Sequence, residues 1–412
     1  MTKETTPAAA QRRYDELRGR NYRIDMTRGK PSPEQAELAN GMLTILRPED
    51  CFGEAGEDYR NYGHGTGVPE AKALLGAYMG MPAARVIAGD NSSLRLMHDA
   101  VAGAVLKGVP GGGAPWRDGA KFICPVPGYD RHFSICEQLG IEMVTVEMRD
   151  DGPDMDAVEA LVAGDPEIKG IWCVPKYSNP TGAVYSDHVV DRLAGMTVAA
   201  ADFRIFWDDA YAVHHLTDAR PAVKNIYEAC VAAGCPDRPY LFASTSKISI
   251  PGAGLAGFAA SEANFKDIAR KMSFATIGPD KLNQLRHTRF FKDFAGIEAQ
   301  MEKHAALIAP KFDAVDAALT RNLGGKGLAT WRKPLGGYFF SVDLLDGCAK
   351  EVVRLAGEAG VTLTPAGATF PYGNDPRDRN LRLAPTFPSL DEIDRAMEVF
   401  CACVELAGAG KR

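Results

Sequence analysis

The stretch Tyr240-Leu-Phe-Ala-Ser-Thr-Ser-Lys-Ile-Ser-Ile-Pro-Gly-Ala-Gly254 places one lysine, Lys247, between a short apolar run and a glycine-containing loop. Tyr240 to Ala243 is typical of a buried strand, and the three hydroxyl residues after it form the turn that presents the lysine. An amine among apolar neighbours loses its proton readily, and a neutral amine can form a Schiff base with an aldehyde. The stretch predicts either a reactive lysine or, more plainly, a surface lysine that caps the next helix.

The composition limits the classes of function to consider. A chain of 412 residues is long enough for two domains, or for one large domain with a smaller one built from the two ends. Hydrophobic residues make up 46% and charged residues 24%, which is ordinary for a soluble globular protein. The formal net charge of -6 provides no long-range attraction for nucleic acid or an anionic membrane. Small-molecule chemistry is therefore favoured.

The chain shows no sequence signal for export, membrane insertion or metal binding. The first 13 residues are polar and alanine-rich, and no apolar run approaches the roughly 20 residues of a membrane helix, so we expect a cytoplasmic protein. The nine cysteines are scattered, which predicts reduced and mostly buried thiols. His214 and His215 are adjacent, but no cysteine or carboxylate stands near them at metal-ligand spacing, so no metal site is expected.

Apolar runs typical of strands alternate with helical patterns through the middle of the chain. This order predicts an α/β fold with a mostly parallel sheet that is covered by helices on both faces. The expected strands include 121–125, 142–147, 170–174, an apolar run over 197–206, and 336–342; the expected helices include 69–79, 94–106, 131–139, 155–163, and one long segment over 282–307. In open α/β sheets ligands bind beyond the carboxyl ends of the strands, and the candidate site residues recur at such ends.

The pattern also predicts three segments along the chain. Residues 1–50 form an N-terminal arm and part of a small domain, residues 51–310 form the large domain, and residues 311–412 form a C-terminal α+β section. We therefore expect the small domain to combine both ends of the chain.

Four motifs occur in one order: Asn179-Pro-Thr-Gly182, Asp208-x-Ala-Tyr211, Ser244-x-x-Lys247, and Arg382 within Leu-Arg-Leu-Ala-Pro. Together they resemble the fold type I pyridoxal-phosphate enzymes, and specifically the class I aminotransferases. Thr27-Arg-Gly-Lys-Pro-Ser-Pro, Gly89-x-Asn-Ser-Ser-Leu and Pro127-Gly-Tyr-Asp-Arg-His resemble the bacterial aspartate aminotransferase subgroup called type Ic. The resemblance covers about residues 25 to 400. It implies a large cofactor-binding domain with a smaller α+β domain.

The resemblance implies pyridoxal 5'-phosphate as cofactor and assigns residues to its reactive groups. Lys247 matches the lysine that holds the cofactor as an internal aldimine and then moves the substrate proton. Asp208 matches the carboxylate that keeps the pyridine nitrogen protonated, so that the ring can accept electrons. Asp209 is a rival, but the family pattern places this carboxylate three residues before the tyrosine. Asn179 and Tyr211 match the donors to the phenolic oxygen.

Other residues match the family's contacts to the ring face and the phosphate. Tyr129 matches the aromatic side chain over the ring, although it could equally be a turn or core tyrosine. The phosphate contacts map to Ser92, Ser93, Ser244 and Ser246. Taken locally, Asn91-Ser92-Ser93 is also typical of a simple helix N-cap, the plainer interpretation.

One implied phosphate contact would come from a partner subunit, and at one position the chain departs from the family pattern. Tyr62 matches a residue that reaches the phosphate from the other subunit, which implies a homodimer. Many family members carry an arginine eight residues after the lysine, where this chain has Leu255. The phosphate must then depend on hydroxyls, backbone donors and another cation, with Lys30 as one candidate.

The resemblance also implies where a substrate binds. Arg382 matches the arginine that binds the substrate α-carboxylate through two parallel hydrogen bonds, and Gly29 matches a glycine whose backbone meets that carboxylate. A dicarboxylic substrate needs a second cation, for which Arg131 is the first candidate, with Arg28 and Arg289 in reserve.

These assignments imply transfer of the amino group of L-aspartate, or L-glutamate, to 2-oxoglutarate or oxaloacetate. The cycle would be ping-pong, through Lys247 and pyridoxamine phosphate. Two alternatives on the same fold stay open: an aromatic or kynurenine-type aminotransferase, and a pyridoxal-phosphate β-lyase. A regulator with an aminotransferase-like effector domain is a remote alternative, because about 25 residues before the resemblance are too few for a DNA-binding domain.

Overall fold

The computed structural model describes residues 6–27, 29–117, 119–409 and 411. Within these residues the strands form one eight-stranded, one three-stranded and one two-stranded sheet. The strands are β1 (Ile24–Met26), β2 (Val86–Gly89), β3 (Lys121–Val126), β4 (Glu142–Arg149), β5 (Gly152–Pro153), β6 (Ile168–Cys173), β7 (Arg204–Asp208), β8 (Pro239–Ser244), β9 (Ala256–Ala259), β10 (Ala329–Trp331), β11 (Phe340–Leu344), β12 (Val361–Leu363) and β13 (Asn380–Leu383).

Helices cover the sheets and connect their strands. They are α1 (Pro7–Arg18), α2 (Pro33–Glu37), α3 (Pro69–Met79), α4 (Ser93–Lys107), α5 (Asp130–Gln138), α6 (Met155–Gly164), α7 (Asp187–Gly195), α8 (Ile226–Ala232), α9 (Glu262–Met272), α10 (Lys281–Phe291), α11 (Phe294–Leu323), α12 (Ala349–Glu358) and α13 (Leu390–Gly408). No helix in the described ranges is long and apolar enough to cross a membrane.

The large sheet has the strand order β2-β9-β8-β7-β6-β3-β4-β5. Strands β8, β7, β6, β3 and β4 pair in parallel, while β9 and β5 run against their neighbours. Every residue of β7 and β8 is buried, because helices pack on both faces. The predicted α/β fold with a mostly parallel sheet is confirmed, and the carboxyl ends of its central strands meet at one edge.

Three expected elements have different bounds in the structure. The apolar run over 197–206 becomes a strand only at Arg204, and before it the backbone N–H of Ala199 bonds to Val162 O instead of joining the sheet. The long helix is two helices, because Lys292 has a left-handed φ of 66° and Asp293 caps α11 through a hydrogen bond from Gly296 N.

The strand expected over 336–342 begins only at Phe340. Gly337 has a φ of 89°, and its N–H donates to His214 O. A Cβ on Gly336 would lie 2.4 Å from the Tyr177 ring, so this glycine pair is close-packed, and Gly336 forms an isolated bridge with His215 instead of extending β11.

Both ends of the chain contribute to one hydrophobic core beside the large sheet. Strand β1 pairs with β12, and Tyr14 and Leu17 of α1 are buried against the same cluster as β11, β13 and α13. Two further apolar clusters line the large sheet. Helix α11 continues through residue 310, so the boundary expected there stays a prediction.

Candidate active site

Lys247 lies just beyond the carboxyl end of β8, beside two tyrosine rings. Its Nζ is 5.1 Å from the centroid of the Tyr211 ring and 5.8 Å from that of Tyr338. These two buried rings stack with centroids 6.1 Å apart. Burial raises the pKa of Tyr211, and the charge of Asp208 raises it further, so its hydroxyl keeps its proton. The lysine is half-buried against aromatic faces and does not cap a helix.

Asp208 ends β7 and is almost completely buried. Its Oδ2 lies 3.1 Å from Nε2 of His132, which stacks on Trp172 with centroids 4.4 Å apart and an interplanar angle of 10°. Its Oδ1 is buried and has no hydrogen-bond partner among the described residues. A buried carboxylate oxygen without a donor is costly unless a ligand supplies one. The carboxylate therefore fits a protonated ring nitrogen.

Asp209, the rival carboxylate, has a different environment. Burial raises its pKa to about 7, while the nearby Lys176 acts in the opposite direction and Asp208 adds to the rise. Its backbone N–H donates to Phe242 O, which fixes it to the neighbouring strand. Asp208, and not Asp209, contacts His132.

His132 belongs to the motif Pro127-Gly-Tyr-Asp-Arg-His, but the motif alone did not indicate a role for it. Tyr129 and His132 are three residues apart at the start of α5, and their rings meet edge to face with centroids 4.9 Å apart. Residues at this spacing share one face of a helix, so Tyr129 could have directed attention to His132. Burial raises the pKa of Tyr129 to about 12.

Arg382 of β13 projects toward the same edge. Its Nη1 donates to Asp130 Oδ1 at 2.8 Å and to Asn179 Oδ1 at 3.3 Å, and the guanidinium covers the Phe339 ring at 4.8 Å from the centroid. A Cβ on Gly29 would lie 2.4 Å from that ring. Glycine is therefore required for this close approach, and Gly29, Phe339 and Arg382 form one packed stack. The sequence did not identify Asp130 or Phe339.

Hydroxyl groups gather between the loop after β2 and the loop after β8. Ser244 Oγ donates to Ser246 Oγ at 2.7 Å, and Ser246 Oγ donates to Asn91 O at 3.1 Å. Ser92 caps α4 by accepting a hydrogen bond from Leu94 N, so the expected helix N-cap is present. Ser93 is buried in the first turn of α4. Hydroxyls beside the N-terminus of a 15-residue helix suit an anion such as a phosphate.

Leu255, at the position where many family members carry an arginine, is part of the hydrophobic core. Leu255 is buried in the apolar cluster under α10, and its N–H donates to Thr245 Oγ1 at 2.8 Å. Lys30, the candidate replacement cation, has its Nζ 3.9 Å from the centroid of the Phe387 ring. No hydrogen bond or ion pair in the described part of the chain joins Lys30 to the serines.

Three other predicted residues have exposed side chains that form no hydrogen bond or ion pair with this cluster within the described ranges. Tyr62 is 80% exposed, and Arg131 and Arg289 are exposed on α5 and α10. Arg131 has no hydrogen bond or ion pair to the other site residues within the described ranges. Arg28 lies outside the described residues. The described residues hold no group of histidine, cysteine and carboxylate side chains that could bind a metal ion.

Comparisons with known proteins identify the family of the chain. The family model described as aspartate amino-transferase matches residues 2–412. An aspartate aminotransferase of Corynebacterium glutamicum is 46% identical over 401 residues, covering 97% of this chain and 93% of that protein. The crystal structure of an aspartate transaminase from the same species has a TM-score of 0.96 at 45% identity, covering 98% of this chain and 96% of that one.

A more distant structure shares the fold. LysN, an α-aminoadipate aminotransferase of Thermus thermophilus complexed with N-(5'-phosphopyridoxyl)-L-leucine, has a TM-score of 0.76 at 22% identity, covering 98% of this chain and 95% of that one. The family match extends over nearly the whole sequence, and the close relatives are covered almost completely. The chain belongs to the aspartate aminotransferase family, and its fold is that of the fold type I pyridoxal-phosphate-dependent aminotransferases.

Proposed function

We propose that this protein transfers the amino group of L-aspartate, or L-glutamate, to 2-oxoglutarate or oxaloacetate in two half-reactions. The observation that carries the proposal is the meeting of Lys247, the partly unsatisfied Asp208 carboxylate and Arg382 at one edge of the sheet. The relatives named as aspartate aminotransferases at 45% and 46% identity support the choice of dicarboxylic substrates.

The residues at this edge suit pyridoxal 5'-phosphate. When bound, this cofactor accepts the electrons released as the substrate Cα–H bond breaks. Asp208 would face its ring nitrogen, since Oδ1 lacks a donor. Asn179 and Tyr211 would donate to its phenolic oxygen, and Tyr129 would cover its ring. Its phosphate would bind the hydroxyl cluster, with Ser92, Ser93, Ser244 and Ser246 as the proposed contacts.

The chain's own groups then perform the proton transfer and the orientation of the substrate. Lys247 Nζ would take the proton from the substrate Cα and return it during the same half-reaction, acting as base and then as acid. Arg382 would hold the α-carboxylate and so direct the Cα–H bond toward Lys247. The rings of Tyr211 and Tyr338 keep water away from the amine on their side.

The distal carboxylate of the substrate requires a second cation, for which we propose Arg131, with Arg289 and Arg28 in reserve. Arg131 follows Asp130, the residue that pairs with Arg382, so its backbone lies at the mouth of the site. Its exposed side chain has no competing ion pair within the described ranges, which leaves it free to meet a ligand.

We also propose a homodimer in which Tyr62 of one subunit reaches the phosphate of the other. Tyr62 is 80% exposed, and Phe274 and Ile277 on an adjoining loop are 82% and 70% exposed. The two loops are joined by a hydrogen bond from Lys281 Nζ to Gly63 O at 3.3 Å. Large exposed apolar side chains on adjoining loops are typical of an interface. A cytoplasmic location is proposed because all nine cysteines are free thiols.

Two activities on the same fold compete with this proposal: an aromatic or kynurenine-type aminotransferase and a β-lyase. Purified protein supplied with pyridoxal phosphate should form glutamate from L-aspartate and 2-oxoglutarate, and Lys247→Ala should lose this activity. Faster turnover of aromatic donors, or release of ammonia without an acceptor oxo acid, would contradict the aspartate assignment.

A further inference from the structure

The ion pair between Arg382 and Asp130 carries an inference beyond the family assignment. Arg382 is only 8% exposed, and its Nη1 hydrogen is already donated to Asp130 Oδ1 at 2.8 Å. Asp130 is the first residue of α5, directly beside Tyr129. A protein carboxylate therefore occupies the group that, in the proposed function, binds the substrate carboxylate.

The carboxylate of Asp130 and the carboxylate of the substrate would compete for the accessible side of the Arg382 guanidinium. Arg382 Nε is buried without a partner among the described residues, and Phe339 covers one face of the group. In the substrate-free protein Nε is enclosed, so a carboxylate that arrives from solvent first meets the end of the guanidinium formed by Nη1 and Nη2. The remaining edge for two parallel hydrogen bonds is formed by Nη1 and Nη2, and Asp130 holds Nη1.

Asp130 is suited to leave and return. Its side chain is 37% exposed, so it can turn toward solvent when a ligand arrives. Its position in the first turn of α5 stabilises the negative charge after displacement, because helix N-termini favour anions. Asn179 Oδ1 also accepts from Nη1, at the longer distance of 3.3 Å, and can stay in place as a neutral acceptor.

We propose that Asp130 is a resident carboxylate that holds Arg382 in the substrate-free enzyme and exchanges with the α-carboxylate of the substrate. The affinity for each substrate is then a difference between two arginine–carboxylate pairs. A ligand without a carboxylate cannot compensate for breaking the resident pair, so Asp130 increases selection for α-carboxylates. This inference rests on the proposed substrate-binding role of Arg382.

The test measures binding of succinate, an unreactive dicarboxylate, to the protein loaded with pyridoxal phosphate, together with KM and kcat for L-aspartate. Asp130→Asn keeps the shape and an acceptor oxygen but removes the charge. We expect the succinate Kd and the aspartate KM to fall about two- to fivefold, the range for a partly exposed ion pair, while kcat changes less than about twofold. The neutral diamide succinamide should bind both proteins equally weakly.

Two controls separate the inference from the function on which it rests. Asp391→Asn removes another first-turn carboxylate paired with an arginine, Arg395, on the solvent-facing side of α13, and should change nothing. Arg382→Gln should weaken succinate binding strongly, and adding Asp130→Asn to it should have no further effect.

Each outcome is decisive. Loss of succinate binding in Arg382→Gln with an unchanged or raised Kd in Asp130→Asn would overturn the exchange and leave the function intact. Unchanged binding in Arg382→Gln would overturn both. Should Asp130→Asn fold poorly, Asp130→Ser provides the same comparison.

Discussion

Asp208 Oδ2 lies 3.1 Å from His132 Nε2, and this histidine stacks on Trp172. Both side chains of the pair are 2% to 3% exposed. The contact connects the start of α5 to the end of β7, so the aromatic layer beneath the site fixes one oxygen of the carboxylate. The other oxygen is left without a partner among the described residues. In the proposed site, His132 would therefore position Asp208.

Substitutions of Asp208 and His132 should distinguish the proposed contact of the carboxylate with the cofactor from the positioning of that carboxylate by the histidine. Asp208→Ala should lower kcat for L-aspartate about 100-fold or more, because one electrostatic contact at the reacting group is lost. His132→Phe preserves the stacking surface but removes the ring nitrogen, and we expect a loss of about tenfold, as for one hydrogen bond to a charged group. His132→Gln should recover part of this loss. Full activity in His132→Phe would show that the contact only packs the core.

The stack of Gly29 on Phe339 predicts a binding defect. In Gly29→Ala the new Cβ would lie 2.4 Å from the Phe339 ring, which must move and carry Arg382 with it. We expect KM for L-aspartate to rise about tenfold, equivalent to about 1.4 kcal/mol, within the range for overpacking. Gly113→Ala is a matched control, since nothing lies within 4 Å of its added Cβ. Equal KM values in the two variants would contradict the stack.

Arg131 should determine the preference for dicarboxylates. Arg131→Ala should reduce kcat/KM for L-aspartate about 100-fold through loss of the pair with the distal carboxylate, and reduce it for L-alanine less than about threefold. Arg289→Ala, a second exposed arginine, is the comparison. Equal losses of kcat/KM for L-aspartate and L-alanine in Arg131→Ala would contradict the assignment of Arg131. A loss in Arg289→Ala that is confined to L-aspartate would assign the role to Arg289.

Asp209 should make stability depend on pH. Burial raises its folded-state pKa to about 7, above the ordinary value of 3.8, so the folded protein binds its proton more tightly than the unfolded chain does. This contribution to stability is fully present below about pH 4 and is lost as pH rises through about 7. Asp209→Asn should therefore raise Tm relative to the wild type more at pH 8 than at pH 5.

The exposed Asp156, whose side chain is 89% accessible, provides the control for that titration. Asp156→Asn should shift Tm equally at both pH values. Thermal unfolding of the three proteins in matched buffers gives the comparison. A Tm difference for Asp209→Asn that does not change with pH would mean that this carboxyl is already charged in the folded protein.

The motifs predicted the architecture well because their residues lie at strand ends that the parallel sheet brings together. Asp208 ends β7, and Tyr211 and Lys247 stand three residues beyond the ends of β7 and β8, so their convergence follows from the sheet. His132, Asp130 and Tyr338 were missed because their roles come from contacts between distant segments. Arg382 and Asp130, for example, are 252 positions apart.

The missed element boundaries have local causes. Lys292 has a positive φ, which is uncommon for a lysine and cannot be recognised from the residue type. One long helix was therefore expected where the structure has two. Asp293, its neighbour, is an ordinary N-cap residue and was the available signal. The run over 197–206 is apolar because it packs against the core, and composition does not distinguish packing from membership of a sheet.

The most direct test of the central claim is the absorption spectrum of the purified protein with pyridoxal phosphate, followed through addition of L-aspartate and then 2-oxoglutarate. We expect the visible band of the lysine-bound cofactor to bleach with aspartate and return with the oxo acid, and to be absent in Lys247→Ala. A band that ignores aspartate but responds to another amino acid would contradict the substrate assignment, and no band at all would contradict the role of Lys247.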